Sequence, residues 1–367
     1  MIPLTAGPDI VPLTDHSLQA QNLIWDGGRN DKWDLIKGCT PGSHYHCYQA
    51  QDPSTIPNTI ALANKYAISD QTYTCQRTAS WSDKLTWTTA CDQDGFLGVN
   101  PKPAAGVPQN SGLGCNSGKV TPWGPNNQLV PSCVPYPGVG PYGGAFKATP
   151  VPPQTDILQN CDKTVGCSWT NFNTARLWSV AAMRSYSVNV SVHNKTPDQF
   201  ITDANAGALP SISYVTSNLA SVADSEHNGS SMAAGDNSIG REVSAAMSGP
   251  DALSTAVFVV WDDCGCQYDP VDPSRVANII ISPYARAGFT DHTPVHFSAI
   301  QRLMEEAFDL PSMNANDAPG TYDFGDSFDL GQTPIQATAP LRTPVSAASA
   351  TRRRTTRPLA TIPDPKL

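Results

Sequence analysis

Two adjacent aspartates, Asp262 and Asp263, stand where an apolar run ends, in residues 255–269 (TAVFVVWDDCGCQYD). A short, continuous, β-branched apolar run followed by turn residues is typical of a buried strand. Ligands in open α/β sheets gather just beyond the carboxyl ends of the strands. Paired carboxylates at such a place suit hard or borderline divalent cations. The segment therefore indicates either a metal site or a solvated Asp-Asp turn, and both interpretations stay open.

The ten cysteines of the chain fall into neighbouring pairs along the sequence. Close pairs of this kind can staple loops, which implies an oxidising compartment, although the sequence does not determine the connectivity. A zinc site that adds His44 and His46 to the first pair is the alternative there, but its spacing fits no standard zinc pattern. The pairs are Cys39/Cys47, Cys75/Cys91, Cys115/Cys133, Cys161/Cys167 and Cys264/Cys266.

The composition describes an acidic chain that is rich in loop-forming residues. The 367 residues carry a formal net charge of -9, and only 15% are charged, whereas Pro (33) and Gly (27) are abundant. The acidic balance excludes an electrostatic footprint for nucleic acid over the body of the chain. No stretch is long enough to span a bilayer, and the first residues lack the pattern of a signal peptide. The cysteines and the low charge favour a secreted or cell-wall-associated protein. Because such a protein needs an export signal and the sequence shows none, we expect an incomplete N-terminus.

Hydrophobic periodicity predicts the elements that must position these side chains. The clearest amphipathic helix covers residues 297–310, with Phe297, Ile300 and Leu303 on one face. Alternation of strands and helices is typical of a largely parallel sheet between helix layers. Residues 93–155 show no periodicity and are predicted to be loops. The predicted strands are residues 209–216, 256–261 and 276–282; the predicted helices are residues 55–69, 80–90, 230–248 and 297–310, with two helix-like patches in 154–186.

The last segment, residues 331–367, has a different character. It is rich in Thr, Pro and Ala, carries three consecutive arginines at 352–354, and lacks enough apolar residues to be buried. Such a composition predicts a disordered, solvated tail. We therefore expect one domain over residues 1–330, followed by this tail.

Four segments together resemble the bacterial phosphoesterase family that contains the phosphatidylcholine-type phospholipases C and a group of acid phosphatases. The specific motifs are LPSISYVT, SEHxGSS, WDDCGC and ISPYARxGxxDHT, which occur here in the family's order and spacing. The resemblance covers residues 17–330. Its segments are residues 62–70 with Ser80 and Trp81 after them, residues 199–218, residues 225–250, and residues 255–269 with 275–293.

The resemblance implies a fold and a chemistry. The fold is the alkaline-phosphatase-like, three-layer α/β/α architecture with a largely parallel central sheet and the site at the carboxyl ends of its strands. In the implied reaction, a divalent metal ion neutralises the phosphoryl oxygens of a phosphate ester, and a Ser or Thr hydroxyl attacks in line. The expected partner is a phosphate-ester substrate, with a phospholipid as one candidate, and the identity of the metal is open.

The resemblance also assigns the nucleophile and the metal ligands by position. Asp262 and Asp263 match the family's metal-binding aspartates. Ser80 matches the position of the nucleophilic hydroxyl, with Thr78 as its rival, and it stands where a helix N-terminus is predicted to favour an anion. In the competing structural interpretation, Ser80 only caps that helix.

A glutamate and two histidines complete the implied site. Glu226 and His227 match the family's Glu-His motif, Glu226 as a substrate-binding residue and His227 as the phosphoryl contact. His292 matches a histidine of a strand-end loop, where it contacts the phosphoryl group or protonates the leaving alcohol. Without the resemblance, His227 is better explained as a surface residue in the turn formed by Asn228 and Gly229.

The chain departs from the family's pattern at several positions of the metal site. The family opens with a buried strand that ends in Glu-Asn-x-Ser-Phe-Asp, but none of the four glutamates here precedes Glu226. We therefore expect the first strand and two metal ligands to be missing. Pro270 and Lys84 stand where the family often has histidines. These differences favour an alternative in which the chain is a catalytically inactive remnant, or a binding protein, that keeps the fold.

Overall fold

The computed structural model of the chain describes residues 2–84, 86–93, 97–109, 118–131, 156–172, 193–216 and 224–345. No helix in these ranges is long and apolar enough to cross a membrane. The helices are α1 (Leu18–Trp25), α2 (Pro57–Lys65), α3 (Ser80–Lys84), α4 (Ile157–Lys163), α5 (Pro197–Ala206), α6 (Met232–Ser248) and α7 (Ser298–Phe308). The strands are β1 (Thr5–Gly7), β2 (Gln49–Gln51), β3 (Ala67–Tyr73), β4 (Lys102–Pro103), β5 (Lys119–Trp123), β6 (Gln128–Pro131), β7 (Trp169–Phe172), β8 (Asn194–Lys195), β9 (Ile212–Val215), β10 (Val257–Val260), β11 (Arg275–Ile281), β12 (Thr290–Asp291) and β13 (Val295–His296).

The central sheet has the strand order β10-β11-β3-β12, and β13 also pairs with β3. β11 runs antiparallel to both β10 and β3, whereas β12 and β13 run parallel to β3. The prediction of a largely parallel central sheet is therefore wrong, because the sheet is mixed. The reason is local: no helix lies between β10 and β11, and a parallel neighbour needs a crossover connection. β3 and β10 still point in the same direction, so their carboxyl ends lie at the same end of the sheet.

A second sheet is fully parallel and has the order β8-β7-β9. Within the described ranges no strand joins β9 to β10, so the two sheets are separate. Two smaller sheets, β1-β2 and β4-β5-β6, lie outside this arrangement. The chain is thus a mixed α/β structure in which two sheets approach each other without sharing a strand.

Helix α6 holds α2 against the sheet. The side chain of Ser231 caps the N-terminus of α6 by accepting a backbone hydrogen bond from its first turn. On α6, the buried carboxylate of Asp236 accepts hydrogen bonds from the backbone N–H groups of Asn58 (3.0 Å) and Thr59 (2.8 Å). These donors belong to the first turn of α2, where a helix leaves N–H groups unpaired. Gly240 permits the approach, because a Cβ there would lie 2.4 Å from Asn58 Oδ1.

Most of the predicted elements are confirmed. The three predicted strands correspond to β9, β10 and β11, and the helices predicted over residues 230–248 and 297–310 correspond to α6 and α7. In residues 154–186, α4 confirms one helical patch, while residues 173–186 lie outside the described ranges. Much of the 93–155 segment also lies outside them, but its described part contains β4, β5 and β6, so the prediction of loops is wrong there, because these strands pair with one another. Strong periodicity and clear capping residues thus locate the elements that flank the candidate site.

Two predicted helices are wrong in extent. The helix predicted over residues 55–69 ends at Lys65, and the chain from Ala67 onward forms β3. β3 pairs with β11 on one side and with β12 and β13 on the other, and such tertiary pairing overrides a weak local helical preference. The helix predicted over residues 80–90 is only the short α3, which ends at Lys84.

Four of the five neighbouring cysteine pairs form disulfides. The first of them excludes the alternative zinc site, because its two sulfur atoms are bonded to each other. Cys115 and Cys133 lie outside the described ranges. The disulfides link Cys39 to Cys47, Cys75 to Cys91, Cys161 to Cys167, and Cys264 to Cys266.

Residues 331–345 run along the body of the protein without forming a helix or a strand. The backbone N–H of Leu341 donates to Asn58 Oδ1 at 2.7 Å, and that of Thr343 donates to Asn237 Oδ1 at 3.0 Å. These bonds attach the first part of the segment that was predicted to be a tail. Its remainder, residues 346–367, lies outside the described ranges.

Candidate functional site

The carboxyl ends of β3 and β10 bring most of the predicted site residues together. The chain after β3 leads to Ser80 at the start of α3, and the chain after β10 leads to Asp262 and Asp263. These three side chains line one cavity of about 940 Å³, together with Glu226 and His227 from the loop before α6. Five predicted residues from three distant segments of the chain therefore share one cavity.

A buried serine and a buried carboxylate form the centre of this cluster. Ser80 Oγ donates a hydrogen bond to Asp263 Oδ2 at 3.0 Å. The second carboxylate oxygen, Oδ1, accepts a hydrogen bond from the N–H of Gly265 at 2.6 Å. Burial, followed by the charge of the neighbouring Asp262, raises the pKa of Asp263 above its ordinary value. A carboxylate with a raised pKa at this distance is arranged to take the proton of the hydroxyl.

Lys84 supplies a buried positive charge next to this pair. Its Nζ lies 3.0 Å from Asp262 Oδ2, and its side chain is only 5% exposed. Lys84 and Ser80 are four residues apart in α3, so both side chains point to the same side of this helix. Burial works against the charged form of Asp262, but the Lys84 ammonium holds the pKa of that carboxyl below its ordinary value.

A third carboxyl group, that of Asp83, is fully buried beside the cluster. Its Oδ2 accepts a hydrogen bond from the indole N–H of Trp87 at 3.0 Å. Burial raises the pKa of Asp83 well above its ordinary value, and the charges of Asp262 and Asp263 raise it further. The raised pKa favours the uncharged form of Asp83. The Lys84 ammonium therefore lies among fewer negative charges.

Two histidines flank the aspartate pair. The rings of His16 and His227 meet edge to face with their centroids 5.3 Å apart. Their Nδ1 atoms lie 3.1 Å from the carbonyl oxygen of Thr14 and 2.9 Å from that of Asn228. Because a carbonyl oxygen only accepts, Nδ1 carries the proton in both rings, and Nε2 is the atom available to a ligand. Both histidines interact electrostatically with the aspartate pair.

Glu226 reaches the cavity from the same loop as His227. Its Oε2 accepts a hydrogen bond from the indole N–H of Trp261 at 2.8 Å, while its buried Oε1 has no partner among the described residues. Gly235 leaves room for this side chain, since a Cβ there would lie 2.3 Å from Glu226 Cγ. Burial raises the pKa of Glu226 to about 7. In acid solution the protonated carboxyl can therefore donate a hydrogen bond to an anionic ligand.

Asn228 ties together three loops that carry these side chains. Its Nδ2 donates to Thr14 Oγ1 and to the carbonyl oxygen of Gly265, both at 2.7 Å. The hydroxyl of Thr14 donates to the same carbonyl oxygen. The disulfide between Cys264 and Cys266 closes the turn in which Gly265 adopts a positive φ of 48°. These bonds constrain the two histidines and the aspartate pair relative to one another.

Thr78, the rival for the nucleophile, has a different environment. It is fully buried, and its hydroxyl donates to the carbonyl oxygen of Gly98. It does not line the cavity that contains Ser80. Ser80 is therefore the hydroxyl at the aspartate pair, and Thr78 secures the loop that precedes it.

The structure does not bring His292 to this cluster, which corrects the prediction. Its Nδ1 lies 2.8 Å from Asp70 Oδ2, and its side chain is 74% exposed. His292 follows β12, where Asp291 pairs with Ser69 in the middle of β3. It therefore lies beside the middle of that strand and short of the carboxyl end, where the cluster forms.

The donor set at the aspartate pair does not fit a divalent metal ion as these side chains are arranged. Asp262 Oδ2 is in contact with the Lys84 ammonium, and both oxygens of Asp263 accept hydrogen bonds. An ammonium at that distance competes for the oxygen that a hard cation needs. Among the residues that the structure describes, no group of three or more His, Cys, Asp and Glu side chains is placed to hold a metal ion. The predicted metal site on Asp262 and Asp263 is therefore not supported by its surroundings.

Sequence reasoning misses two members of the cluster, His16 and Lys84. A signal for Lys84 exists, because it stands four residues after Ser80 on a predicted helix. Residues at that spacing share one face of a helix. His16 has no comparable local signal. Only the loop contacts through Asn228 and Gly265 bring it to the aspartate pair.

We expect the carboxyl group of Glu242 to make the stability of this region depend on pH. Glu242 lies on α6 and lines the cavity, and burial raises its pKa from 4.5 to about 7. Between these two values the folded chain holds a proton that the unfolded chain has released, so stability falls as the pH rises from 4.5 to 7. Glu242→Gln should remove about 3 kcal/mol of this loss, measured by urea denaturation at a series of pH values.

Glu306→Gln is the matched control for this experiment. The side chain of Glu306 lies on α7 and is 42% exposed. Its replacement should change the free energy of unfolding by about 0.5 kcal/mol or less at every pH. Identical pH profiles for the wild-type chain and Glu242→Gln would contradict a raised pKa at Glu242.

A second expectation concerns divalent cations. Titration calorimetry with Mn²⁺ or Zn²⁺ should show weak binding to the wild-type chain, and EDTA should leave its melting temperature unchanged. Lys84→Met removes the ammonium from the Asp262 carboxylate, so the affinity of this variant for these cations should rise about tenfold or more. The double variant Lys84→Met/Asp262→Asn should lose that gain. EDTA-sensitive melting of the wild-type chain that Asp262→Asn abolishes would contradict the poor fit.

Curated relatives and solved structures resemble the chain at low sequence identity. Phospholipase C A from two strains of Mycobacterium tuberculosis is 24% identical over 342 residues. The match covers 82% of this chain, which spans 60% of the length of these curated relatives. The structure of Ps i-CgsB has a TM-score of 0.44 at 10% identity, covering 74% of this chain and 70% of that one. The phosphonate monoester hydrolase SpPMH from Silicibacter pomeroyi has a TM-score of 0.36 at 10% identity, covering 73% and 70%.

The profile of the Phosphoesterase family matches residues 7–311, which is most of the chain. The matched range contains the serine, the aspartate pair, the lysine and both flanking histidines of the cluster. It also contains the loops that hold them together. The chain therefore belongs to the Phosphoesterase family.

Proposed function

We propose that this chain hydrolyses phosphate esters with Ser80 as the nucleophile, in the manner of a phospholipase C or an acid phosphatase. The observation that carries the proposal is the 3.0 Å hydrogen bond from Ser80 Oγ to Asp263 Oδ2, with the Lys84 ammonium in the same cluster. A hydroxyl nucleophile needs a base for its proton and a positive charge for the phosphoryl group. Membership of the Phosphoesterase family supports the reaction class.

The proposed reaction has two halves. In the first, Ser80 Oγ attacks phosphorus, its proton passes to Asp263, and the alcohol leaves with the electron pair of the broken P–O bond. The leaving oxygen takes a proton from Nε2 of protonated His227. In the second, a water molecule gives its proton back to His227 and attacks the phosphoserine. Ser80 recovers its proton from Asp263, and the phosphate product is released.

Three further side chains are proposed to bind the phosphoryl oxygens. The Lys84 ammonium lies 3.0 Å from Asp262 and lines the cavity, where it is the proposed positive charge for the phosphoryl oxygens. Protonated Glu226 offers a further donor in the same cavity, and His16 offers one beside the ring of His227. Because Asp262 and Asp263 repel an anion, we expect binding to be strongest in acid solution, where Glu226 is protonated.

The test is hydrolysis of p-nitrophenyl phosphate and of p-nitrophenylphosphorylcholine between pH 5 and 8, with EDTA and with added divalent metals. The first compound represents monoesters, and the second represents the diesters of phospholipid head groups. We expect release of p-nitrophenol from at least one of them in EDTA, with a phosphoserine at residue 80 trapped by acid quench and found by mass spectrometry. Failure to hydrolyse either compound under all these conditions would refute the proposal.

The pairing of Lys84 with Asp262 also favours a second candidate, a protein that binds phosphate esters without cleaving them. In that case the cluster is an anion-binding site that no longer completes a turnover. Calorimetry with inorganic phosphate and phosphorylcholine separates the two functions. Binding that depends on Lys84, with neither turnover nor phosphoserine, would establish the second candidate in place of the first.

The two histidines that the resemblance assigned to catalysis should respond differently to replacement. His227→Asn should lower kcat about 10²-fold or more, because it removes the proposed acid at the cavity. His292→Asn should leave kcat and KM within about twofold, because His292 pairs with Asp70 at an exposed position away from the cavity. Steady-state kinetics on the better substrate measure both. Equal losses in the two variants would contradict these assignments.

A secreted or cell-wall-associated location is also part of the proposal. The four disulfides in the described ranges are compatible with an extracellular protein. The unfolding midpoint in urea should therefore fall when the disulfides are reduced with dithiothreitol. An unchanged midpoint after full reduction would remove this support.

A further inference from the structure

The cavity beside the aspartate pair has the form of a slot between β9 of the parallel sheet and β10 of the central sheet. Its volume is about 940 Å³, and it is lined by residues 209–216 around β9 and residues 254–265 around β10. Both ranges line the cavity without a gap. A strand that showed only one face to a cavity would contribute every second residue. The continuous lining therefore means that the edges of β9 and β10 face the slot.

Each of these strands has only one partner within the described ranges. β9 pairs with β7, and β10 pairs with β11. The second edge of each strand carries backbone N–H and C=O groups, and such groups are almost always paired when they lie inside a protein. β10 is apolar on both faces (VFVV), which is typical of a strand in the middle of a sheet. All four of its residues nevertheless keep partial exposure.

Two helices supply the remaining walls of the slot. From α6 the lining residues follow a helical period, with Ile239, Val243 and Ala246 among them. From the region of α7 the same spacing recurs in Phe297, Ile300 and Met304. A space bounded by two strand edges and by the apolar faces of helices has the surroundings of a buried strand.

The volume of the slot matches a strand of ordinary length. One strand residue in a sheet occupies about 160 Å³, from a rise of about 3.3 Å, a strand spacing of about 4.8 Å and a layer spacing of about 10 Å. A cavity of about 940 Å³ therefore holds about six residues. This is the usual length of a strand in a globular protein.

We propose that the slot accepts an added β-strand: an extended peptide segment of about six residues, apolar on both faces, that pairs with β9 and β10 and joins the two sheets. Backbone hydrogen bonds to the two edges provide affinity, and the apolar walls select the side chains. An acyl chain fills apolar space equally well, but it leaves the edge N–H and C=O groups of both strands unpaired. The two facing edges therefore favour a peptide over a lipid.

The experiment measures hydrogen–deuterium exchange of the full chain with and without the peptide acetyl-Lys-Thr-Val-Ile-Val-Phe-Thr-Lys-amide. The terminal lysines keep this probe soluble, and its centre is apolar on both faces. We expect exchange of β9 and β10 amides to slow about tenfold or more at saturation, and the melting temperature to rise with peptide concentration. Exchange in β5, which lies in another sheet, should not change.

Two controls make the outcome specific. The same peptide with proline in place of isoleucine and phenylalanine lacks two N–H donors and should give no protection. Ile239→Trp on α6, or Ala307→Trp on α7 if the first variant unfolds, fills part of the slot and should abolish the effect. No protection by the apolar peptide at 1 mM, or equal protection in the Trp variant, would overturn the proposal. Protection by dioctanoylglycerol but not by the peptide would identify a lipid pocket and would also overturn it.

Discussion

Replacing Ser80 with alanine is expected to lower kcat for phosphate-ester hydrolysis by about 10⁴-fold or more, while the fold is retained. Ser80 Oγ is the hydroxyl that is hydrogen-bonded to the buried Asp263 carboxylate in the cavity. Its removal deletes the proposed attacking atom but leaves the Gly265 N–H on Asp263. Steady-state kinetics on the better p-nitrophenyl substrate, with the unfolding midpoint in urea as the check on folding, measure the effect.

Thr78→Ala is the matched control for the nucleophile. The Thr78 hydroxyl is fully buried and bonded to the carbonyl oxygen of Gly98, so its loss leaves that acceptor unpaired. We expect a cost of about 1–3 kcal/mol in the free energy of unfolding and little change in kcat at a temperature where the variant is folded. The opposite pattern, with activity lost in Thr78→Ala and kept in Ser80→Ala, would exchange the roles of the two residues.

Replacing Lys84 with methionine is expected to destabilise the chain by about 3–5 kcal/mol, because the variant keeps buried carboxylates but loses their cation. Methionine preserves most of the length of the side chain, so the change is mainly one of charge. The same variant should bind inorganic phosphate about tenfold or more weakly, since the ammonium is the proposed anion contact. Urea denaturation measures the first effect, and calorimetry measures the second.

Two further variants show whether this cost comes from the ion pair. Lys195→Met removes a lysine that also pairs with an aspartate, Asp203, at 2.6 Å, but its side chain is 39% exposed. Its cost should be about 1 kcal/mol or less. The double variant Lys84→Met/Asp262→Asn should recover most of the lost stability, because the unpaired charge is gone. A double variant as unstable as Lys84→Met would mean that the lysine acts through packing.

The sequence reveals much of the candidate site because local patterns, together with the family motifs, mark its residues. Asp262 and Asp263 end a continuous apolar run, and Glu226 and His227 lie in a polar loop directly before a capped helix. Such signals depend on neighbours in the chain, so they survive without coordinates. His292 has a similar local signal, but its position beside the middle of β3 follows from the register of β12, which no local pattern reveals.

The same contrast applies to the fold. The periodicity of α6 and α7 predicts both helices, because an amphipathic face is written in the chain itself. The direction of β11 is not predictable in this way, since it depends on which strand the chain returns to after the loop at Pro270. Residues from Ala67 onward likewise form a strand, and not the end of a helix, because β3 pairs with β11 on one side and with β12 on the other.

By itself the sequence determines the family motifs and the strand end at Asp262 and Asp263, and it indicates neighbouring cysteine pairs; it leaves Ser80 and Thr78 as rivals for the hydroxyl. Only the tertiary structure decides what surrounds that carboxylate pair: Lys84 on Asp262, Ser80 on Asp263, and His16 and His227 at their side. The physical reason is that a carboxylate's partner is set by distance in space. Whether the partner is a metal ion or an ammonium depends on which side chain the folded chain brings within about 3 Å of its oxygens.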